Sequence, residues 1–260
     1  MNNLSEKSIV LLASDNQSTK ILYNSLKKKY TITKVIMEKH IPMGRYFKRR
    51  MKTLGFLEVI GQLLFLIIMV PILKRIYKRR VLEIKNKYNL SDDPIDKSKL
   101  IHLKSINTEE TIKELKKLKP NLVVVNGTRI IKDPILNCIS AKFINTHTGI
   151  TPLYRGIHGG YWALANSDRK NCGVTIHLID SGIDTGKIIE QSRIHPTYRD
   201  SFVTYPLLQY GAAISLIIKT IQNIFNNIIE YKPYPEGTSK FWSHPTLWEY
   251  LLNIILYNVK

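Results

Sequence analysis

Residues 56–73 (FLEVIGQLLFLIIMVPIL) form an apolar stretch broken only by Glu58, Gly61, Gln62 and Pro71. As a helix rising about 1.5 Å per residue, such a stretch is only just long enough to cross a bilayer. The segments on either side argue against crossing. Upstream, residues 8–13 read as a buried parallel strand, the loop 14–18 offers N-cap residues to a helix running to about Lys28, and residues 30–37 read as a second strand. Downstream, a helical pattern over about 108–118 precedes a third clear strand at 121–125. Further strands follow at 142–147 and 173–179, separated by a helical segment at about 158–166. Strands alternating with helices predict an α/β fold built on an open, mostly parallel sheet. One crossing would put the first two strands and the remaining strands on opposite sides of a membrane, although all belong to one sheet. The helix is therefore either buried in protein, within the chain or at a homodimer contact, or it lies in the membrane interface with its flanks at the headgroups.

Those flanks are basic. Between Ile41 and Arg80 stand ten basic residues (Arg45, Lys48, Arg49, Arg50, Lys52, Lys74, Arg75, Lys78, Arg79, Arg80) and one acidic residue, Glu58. The chain as a whole carries a formal charge of +19, which favours polyanionic partners: anionic membrane, nucleic acid or a phosphorylated substrate. The cluster surrounds an apolar helix rather than aromatic stacking positions, which favours an anionic membrane surface met through 45–80 over nucleic acid. Cys138 and Cys172 have no metal-ligand spacing, and no secretory signal opens the chain. No disulfide and no metal are expected, and the compartment is expected to be the reducing cytoplasm, with peripheral association at the inner face of the membrane. A principal domain is expected over 1–230, with an insertion at about 38–101. Residues 206–229 are expected to form a long helix on the sheet, with Leu208, Ala212, Leu216, Ile217, Ile221 and Ile224 on its apolar stripe. The tail 231–260, rich in Pro and aromatics, is expected to wrap the domain irregularly before a short helix from about Thr246.

The chemistry concentrates after Lys142. Residues 143–147 (FINTH) are a strand ending in Asn145 and His147, two apart and so on one face, at the strand end where α/β domains place ligands. A Gly- and Pro-punctuated loop, 148–156, follows, then the strand 173–179 and the polar turn 180–186 (DSGIDTG), which can bring Asp184 back toward His147. These residue types suit acyl transfer to an amine. The Asn145 amide can donate to a developing oxyanion, and His147 can take the proton of the amine and return one to the leaving nitrogen near neutral pH. Asp184 can orient the imidazole and hold a proton-relaying water. No nucleophilic Ser or Cys is needed. Asn-x-His at a strand end, or an Asp-Thr-Gly turn, is a weak signal alone.

Taken in order (a strand, Asn-x-His, a Pro-x-Tyr-x-Gly-like loop, a Gly-Val-Thr-Ile-His strand and an Ile-Asp-Thr-Gly turn), residues 121–191 resemble the formyltransferase family of methionyl-tRNA, glycinamide ribonucleotide and sugar N-formyltransferases. The resemblance implies a Rossmann-like formyltransferase fold, with the basic, apolar helical insertion lying between its second and third strands. It also implies a one-carbon transferase with Asn145, His147 and Asp184 as catalytic residues and N10-formyltetrahydrofolate as donor. Gly127, Thr128, Arg129 and Ile130 would contact the folate, and Asp180 and Ile183 would close the other side of the pterin pocket. Ser14 and Asn16 in the first loop, with Tyr154, Arg155, Gly156 and His158, are the expected acceptor-binding residues. His158 either contacts the acceptor or caps a helix, and Asp15 speaks against a phosphate at the first loop. Within the family, the residues after Ile229 are too few for a tRNA-binding barrel, and the insertion has no counterpart in the purine enzyme. A basic protein with a membrane-facing helix suits an amino-sugar acceptor, nucleotide- or lipid-linked, in envelope polysaccharide or lipopolysaccharide synthesis. A methionyl-tRNA formyltransferase-like enzyme, or a non-catalytic membrane or polyanion binder on the same fold, are the alternatives.

Overall fold

The computed structural model describes residues 7–39 and 43–260. Residues 1–6 and 40–42, within the expected 1–230 domain, lie outside the described residues, as do the side chains of Arg45, Lys48 and Arg49. The chain begins with β1 (Ser8–Ser14), α1 (Gln17–Leu26) and β2 (Thr31–Glu38). The insertion supplies α2 (Met43–Leu54), α3 (Phe56–Leu64), α4 (Val70–Ile76) and α5 (Lys78–Tyr88). The central unit follows, with β3 (Leu100–Leu103), α6 (Glu109–Leu118), β4 (Leu122–Asn126), α7 (Asp133–Leu136) and β5 (Lys142–His147). Next come β6 (Tyr154–Gly156), α8 (Gly159–Ala165), β7 (Gly173–Leu178), β8 (Ile188–Arg193) and the long α9 (Tyr205–Phe225). The tail carries β9 (Lys240–Trp242) and α10 (Leu247–Tyr257).

Seven strands form one sheet in the order β3-β2-β1-β4-β5-β7-β8. The first five are parallel, and β7 and β8 pair antiparallel at the far edge. The sequence pattern explains the centre. In β1, Ile9, Leu11 and Ala13 join one apolar cluster with α1 and α9, while Val10 and Leu12 join the other with α6. β4 divides likewise, Leu122 and Val124 against Val123 and Val125. A strand apolar on both faces must be covered on both, which is the environment of a parallel strand between helix layers. Strand order reverses between β1 and β4, so the ligand crevice is expected at the C-terminal ends of β1, β4 and β5.

The insertion packs beside the sheet, on α9 and the tail. Phe65 meets Phe202 edge-on, with ring centroids 4.8 Å apart, and Tyr250 at 4.9 Å. Arg80 pairs with the buried Asp200, Nε to Oδ1 at 2.8 Å. Residues 65–69 widen to a π-helical turn just before Pro71, whose missing N–H would otherwise break the ladder, so Phe56–Ile76 runs on as one helix. The tail is more ordered than its composition suggests: β9 pairs in parallel with β6, and Thr246 caps α10 in a capping box with Glu249.

Candidate active site

Strand β5 delivers Asn145 and His147 at its C-terminal end, on the face that Phe143 presents to the α6 layer. Asp184 comes from the turn between β7 and β8. Asp180 organises that turn, its Oδ1 accepting from Gly182 N–H at 3.1 Å and from the Thr185 hydroxyl at 2.7 Å. Asp184 itself takes a left-handed conformation, φ +53°, which short polar side chains tolerate. The Arg155 guanidinium donates to the Ile183 carbonyl at 3.3 Å and ties the turn to the loop after β5.

The three expected residues converge. His147 Nδ1 lies 3.4 Å from Asp184 Oδ2, and Asn145 Nδ2 donates to Asp184 Oδ1 at 3.4 Å. Gly156 N–H donates to Asp184 Oδ2 at 3.0 Å. His147 Nε2 donates to the Tyr154 carbonyl at 2.7 Å, so in the neutral ring Nε2 holds the hydrogen and Nδ1, facing Asp184, carries the lone pair. This closeness depends on Gly149: a Cβ there would lie 2.4 Å from the Tyr154 carbonyl oxygen and 2.7 Å from His147 Nε2. Burial pushes the Asp184 carboxyl up, but the charge of His147, the neighbouring His177 imidazole and the Gly156 N–H together outweigh burial. They hold it well below the usual carboxylate range.

A fourth member, His177, has no assigned role in the sequence reading. Its Nδ1–H donates to the Leu178 carbonyl at 2.7 Å, which leaves Nε2 to accept from Asn145 Nδ2 at 3.2 Å. His177 thereby fixes which way the Asn145 amide faces. The pairing follows from strand register, since Asn145 and His177 are directly opposite across the β5–β7 ladder.

These groups stand in a cleft of about 970 Å³. Gly127, Thr128, Arg129, Ile130, Asp180 and Ile183 line it, together with Asn16, Gly156 and His158. Arg129 spends its polar atoms on the scaffold: its N–H donates to Glu38 at 2.6 Å and its guanidinium to the carbonyls of Lys39 and Lys104. Ser14 donates to the Gly127 carbonyl at 2.5 Å, and Asn16 caps α1 through Thr19 N–H at 2.8 Å. Ser14, Tyr154 and Arg155 do not line the cleft. Tyr154 is buried, its hydroxyl on Asp168 at 2.9 Å and its ring stacked on Trp242, so its link to the site is its carbonyl.

His158 stands at the N-cap of α8 without a side-chain capping bond, its Nε2 3.0 Å from Nδ1 of His244. Burial and then the neighbouring His244 hold His158 well below the ordinary histidine value. Burial, with Arg50 second, brings His244 down to about 4. Both are therefore neutral near pH 7. His244 and the exposed Phe241 bring the tail into the cleft wall. At the switch point, Asn126 donates to Ser18 and Thr19, each at 2.9 Å, and accepts from Tyr210, whose hydroxyl burial pushes up to about 12. Apart from His158, already expected at the site, only the aromatic tail gave a sequence signal for any of these.

Residues 78–206 match the family described as formyl transferase. The methionyl-tRNA formyltransferase of Thermodesulfovibrio yellowstonii is 37% identical over 123 residues, covering 47% of this chain and 40% of that protein. The chain thus spans less than half the length of that relative. Among solved structures, the phosphoribosylglycinamide formyltransferase of Streptococcus pneumoniae TIGR4 shares the fold with a TM-score of 0.54 at 20% identity, over 84% of this chain and 99% of that one. A sugar N-formyltransferase from Shewanella sp FDAARGOS_354 does so with a TM-score of 0.54 at 17% identity, over 90% and 76%.

Proposed function

We propose that this chain, which across residues 78–206 belongs to the formyltransferase family, transfers a formyl group from N10-formyltetrahydrofolate to the primary amine of an amino sugar. The acceptor is nucleotide- or lipid-linked, and the reaction serves envelope polysaccharide synthesis on the cytoplasmic side of the membrane. The convergence of Asn145, His147 and Asp184 in the cleft carries the formyl-transfer part of this reading. The donor supplies the formyl group. Segments 127–130 and 180–183 would hold its flat ring system between them, chiefly through backbone groups.

The residues divide the work. As the amine attacks, the N–C bond forms and charge grows on the formyl oxygen. Asn145 offers that oxygen the N–H now held by Asp184 at 3.4 Å, a stretched bond that a better acceptor takes over. His147 Nδ1 accepts the proton released by the amine and passes it to the folate nitrogen as the old C–N bond breaks, so proton and formyl group exchange places. Asp184, held ionised, stabilises the imidazolium between those two events. His177 keeps the Asn145 amide facing the reacting carbon.

A second reading, formylation of an aminoacyl-tRNA, is favoured by the 37% identity to a methionyl-tRNA formyltransferase. The sugar reading rests on the apolar and basic character of the insertion. Mass spectrometry of nucleotide- and lipid-linked amino sugars incubated with protein and formyl-folate tests it. We expect a gain of one carbonyl unit on one of them, abolished in His147→Ala. No gain on any amino sugar, with formylation of an aminoacyl-tRNA, would overturn the choice.

A further inference from the structure

The apolar helix of the insertion buries only one of its stripes. Val59, Gln62, Phe65 and Leu73 face the protein, whereas Leu57 is 73% exposed and Ile67 and Ile76 are each 65% exposed. A surface helix ordinarily turns polar residues outward; here the outward stripe is as apolar as the inward one. A second helix repeats the pattern. In α10, Tyr250 is buried while Ile255 is 78%, Leu256 58% and Leu252 52% exposed. The two helices touch: a Cβ on Gly61 would lie 2.3 Å from the ring of Trp248, so glycine lets them approach. Most of the exposed large apolar side chains among the described residues lie on 51–76 and 248–257. Apolar exposure concentrated on two touching helices marks a binding surface.

Its rim says what it binds. Lys74, Arg75, Lys78 and Arg79 are exposed where the stripe ends, and Lys52 is exposed near its start. The nearby carboxylates are engaged within the protein: Glu58 accepts from Gln62, Glu249 closes the α10 cap, and Glu83 pairs with Arg79, Arg80 and Arg199. Apolar area bordered by exposed cations complements an anionic bilayer surface, with apolar side chains in the acyl boundary and the cationic groups among the headgroups. Crossing is ruled out by the inner stripe, which is docked through Phe65 on Phe202 and Tyr250.

The patch also connects to the cleft. Gln62, on the inner stripe, donates to the Ser243 hydroxyl at 3.2 Å, and the next residue, His244, lines the cleft and contacts His158. We infer that α3, α4 and α10 seat this protein on an anionic membrane, and that its acceptor is an amino sugar carried on a membrane lipid. The second half rests on the function proposed above; the first does not.

Co-sedimentation with vesicles of equal parts phosphatidylglycerol and phosphatidylethanolamine, against vesicles of phosphatidylcholine alone, tests the seating. We expect binding to the anionic vesicles that weakens with added salt. Leu57→Asp/Ile67→Asp, and independently Ile255→Asp/Leu256→Asp on the other helix, are expected to weaken it by about a hundredfold, about tenfold per apolar side chain withdrawn. Both variants should formylate a water-soluble acceptor analogue as the wild type does and lose turnover only on a lipid-linked amino sugar in vesicles. Absence of vesicle binding by a protein active in solution overturns the seating. So does a concentration-dependent dimer, without vesicle binding, that both variants dissolve. Vesicle binding by a protein that formylates no amine leaves the seating standing and sinks the proposed function. Vesicle binding with turnover confined to soluble acceptors overturns the lipid-carried substrate.

Discussion

Asp184→Asn isolates one charge with almost no change of shape. The carboxylate is 13% exposed and 3.4 Å from His147 Nδ1. With an effective dielectric of about 20, opposite unit charges at that separation attract by about 5 kcal/mol. Burial of the carboxylate consumes part of this. Acid–base assistance by a positioned group is worth about 10²–10⁴-fold, or about 3–5 kcal/mol of barrier, which the attraction is large enough to supply. The amide would keep one acceptor for Gly156 N–H but would set an NH₂ against Asn145 or the histidines. We expect kcat to fall by about 10²–10⁴-fold, with KM for formyl-folate changing by less than about threefold. The assay is initial-rate formylation of the acceptor found by mass gain, with reduced-folate binding as a control for an intact cleft. A loss below tenfold in a variant that binds folate normally would refute the role given to Asp184 and, with it, the proton path through Nδ1. Because the folded carboxyl lies below its ordinary value of about 3.9, Asp184 stays ionised throughout the neutral and mildly acidic range and does not set the acid limb of the pH–rate profile. The same depression means that the carboxylate stabilises the fold fully above the unfolded value and loses that contribution as pH falls through the folded one. The stability gap between wild type and Asp184→Asn should accordingly narrow in acid.

His177→Phe keeps a buried ring but removes the acceptor for Asn145 Nδ2, so we expect kcat to fall by about tenfold or more with KM little changed, by steady-state kinetics; an unchanged kcat would show that the amide needs no such anchor. Asp200→Asn strips the charge partner from Arg80 and one acceptor from Thr197, and urea unfolding at neutral pH should show a loss of about 3 kcal/mol. Burial raises the Asp200 carboxyl, but Arg80 and Thr197 hold it below its ordinary value, so this penalty should be largest above about pH 4 and shrink as pH falls further.

Particular residues show how far the chain could be read in advance. β1 and β4 were legible because runs apolar on both faces have few homes besides the centre of a parallel sheet. Asn145 and His147 were legible as a pair because a period of two places them on one face wherever β5 goes. His177 was not: it meets Asn145 only through the antiparallel β5–β7 register, and its own segment reads as an ordinary strand. Tyr154 carries a chemically suggestive side chain yet serves the site with its carbonyl, which no side-chain pattern reveals. His244 and Phe241 enter the cleft wall because β9 pairs with β6, a contact between segments some eighty residues apart.

By itself the order of residues determined the central strands and the long helix on the sheet, the shared face of Asn145 and His147, and the polar turn that returns Asp184, since each follows from a local repeat or a local conformational preference; the short strands β3, β6 and β9 and the edge strand β8 carry no such signal. Tertiary structure decided which imidazole nitrogen is left to carry a proton, which way the Asn145 amide faces, and which stripe of the 56–76 helix is buried. Those outcomes depend on groups distant in the chain arriving within hydrogen-bonding or van der Waals range, and a periodicity fixes a direction without specifying what will be met there.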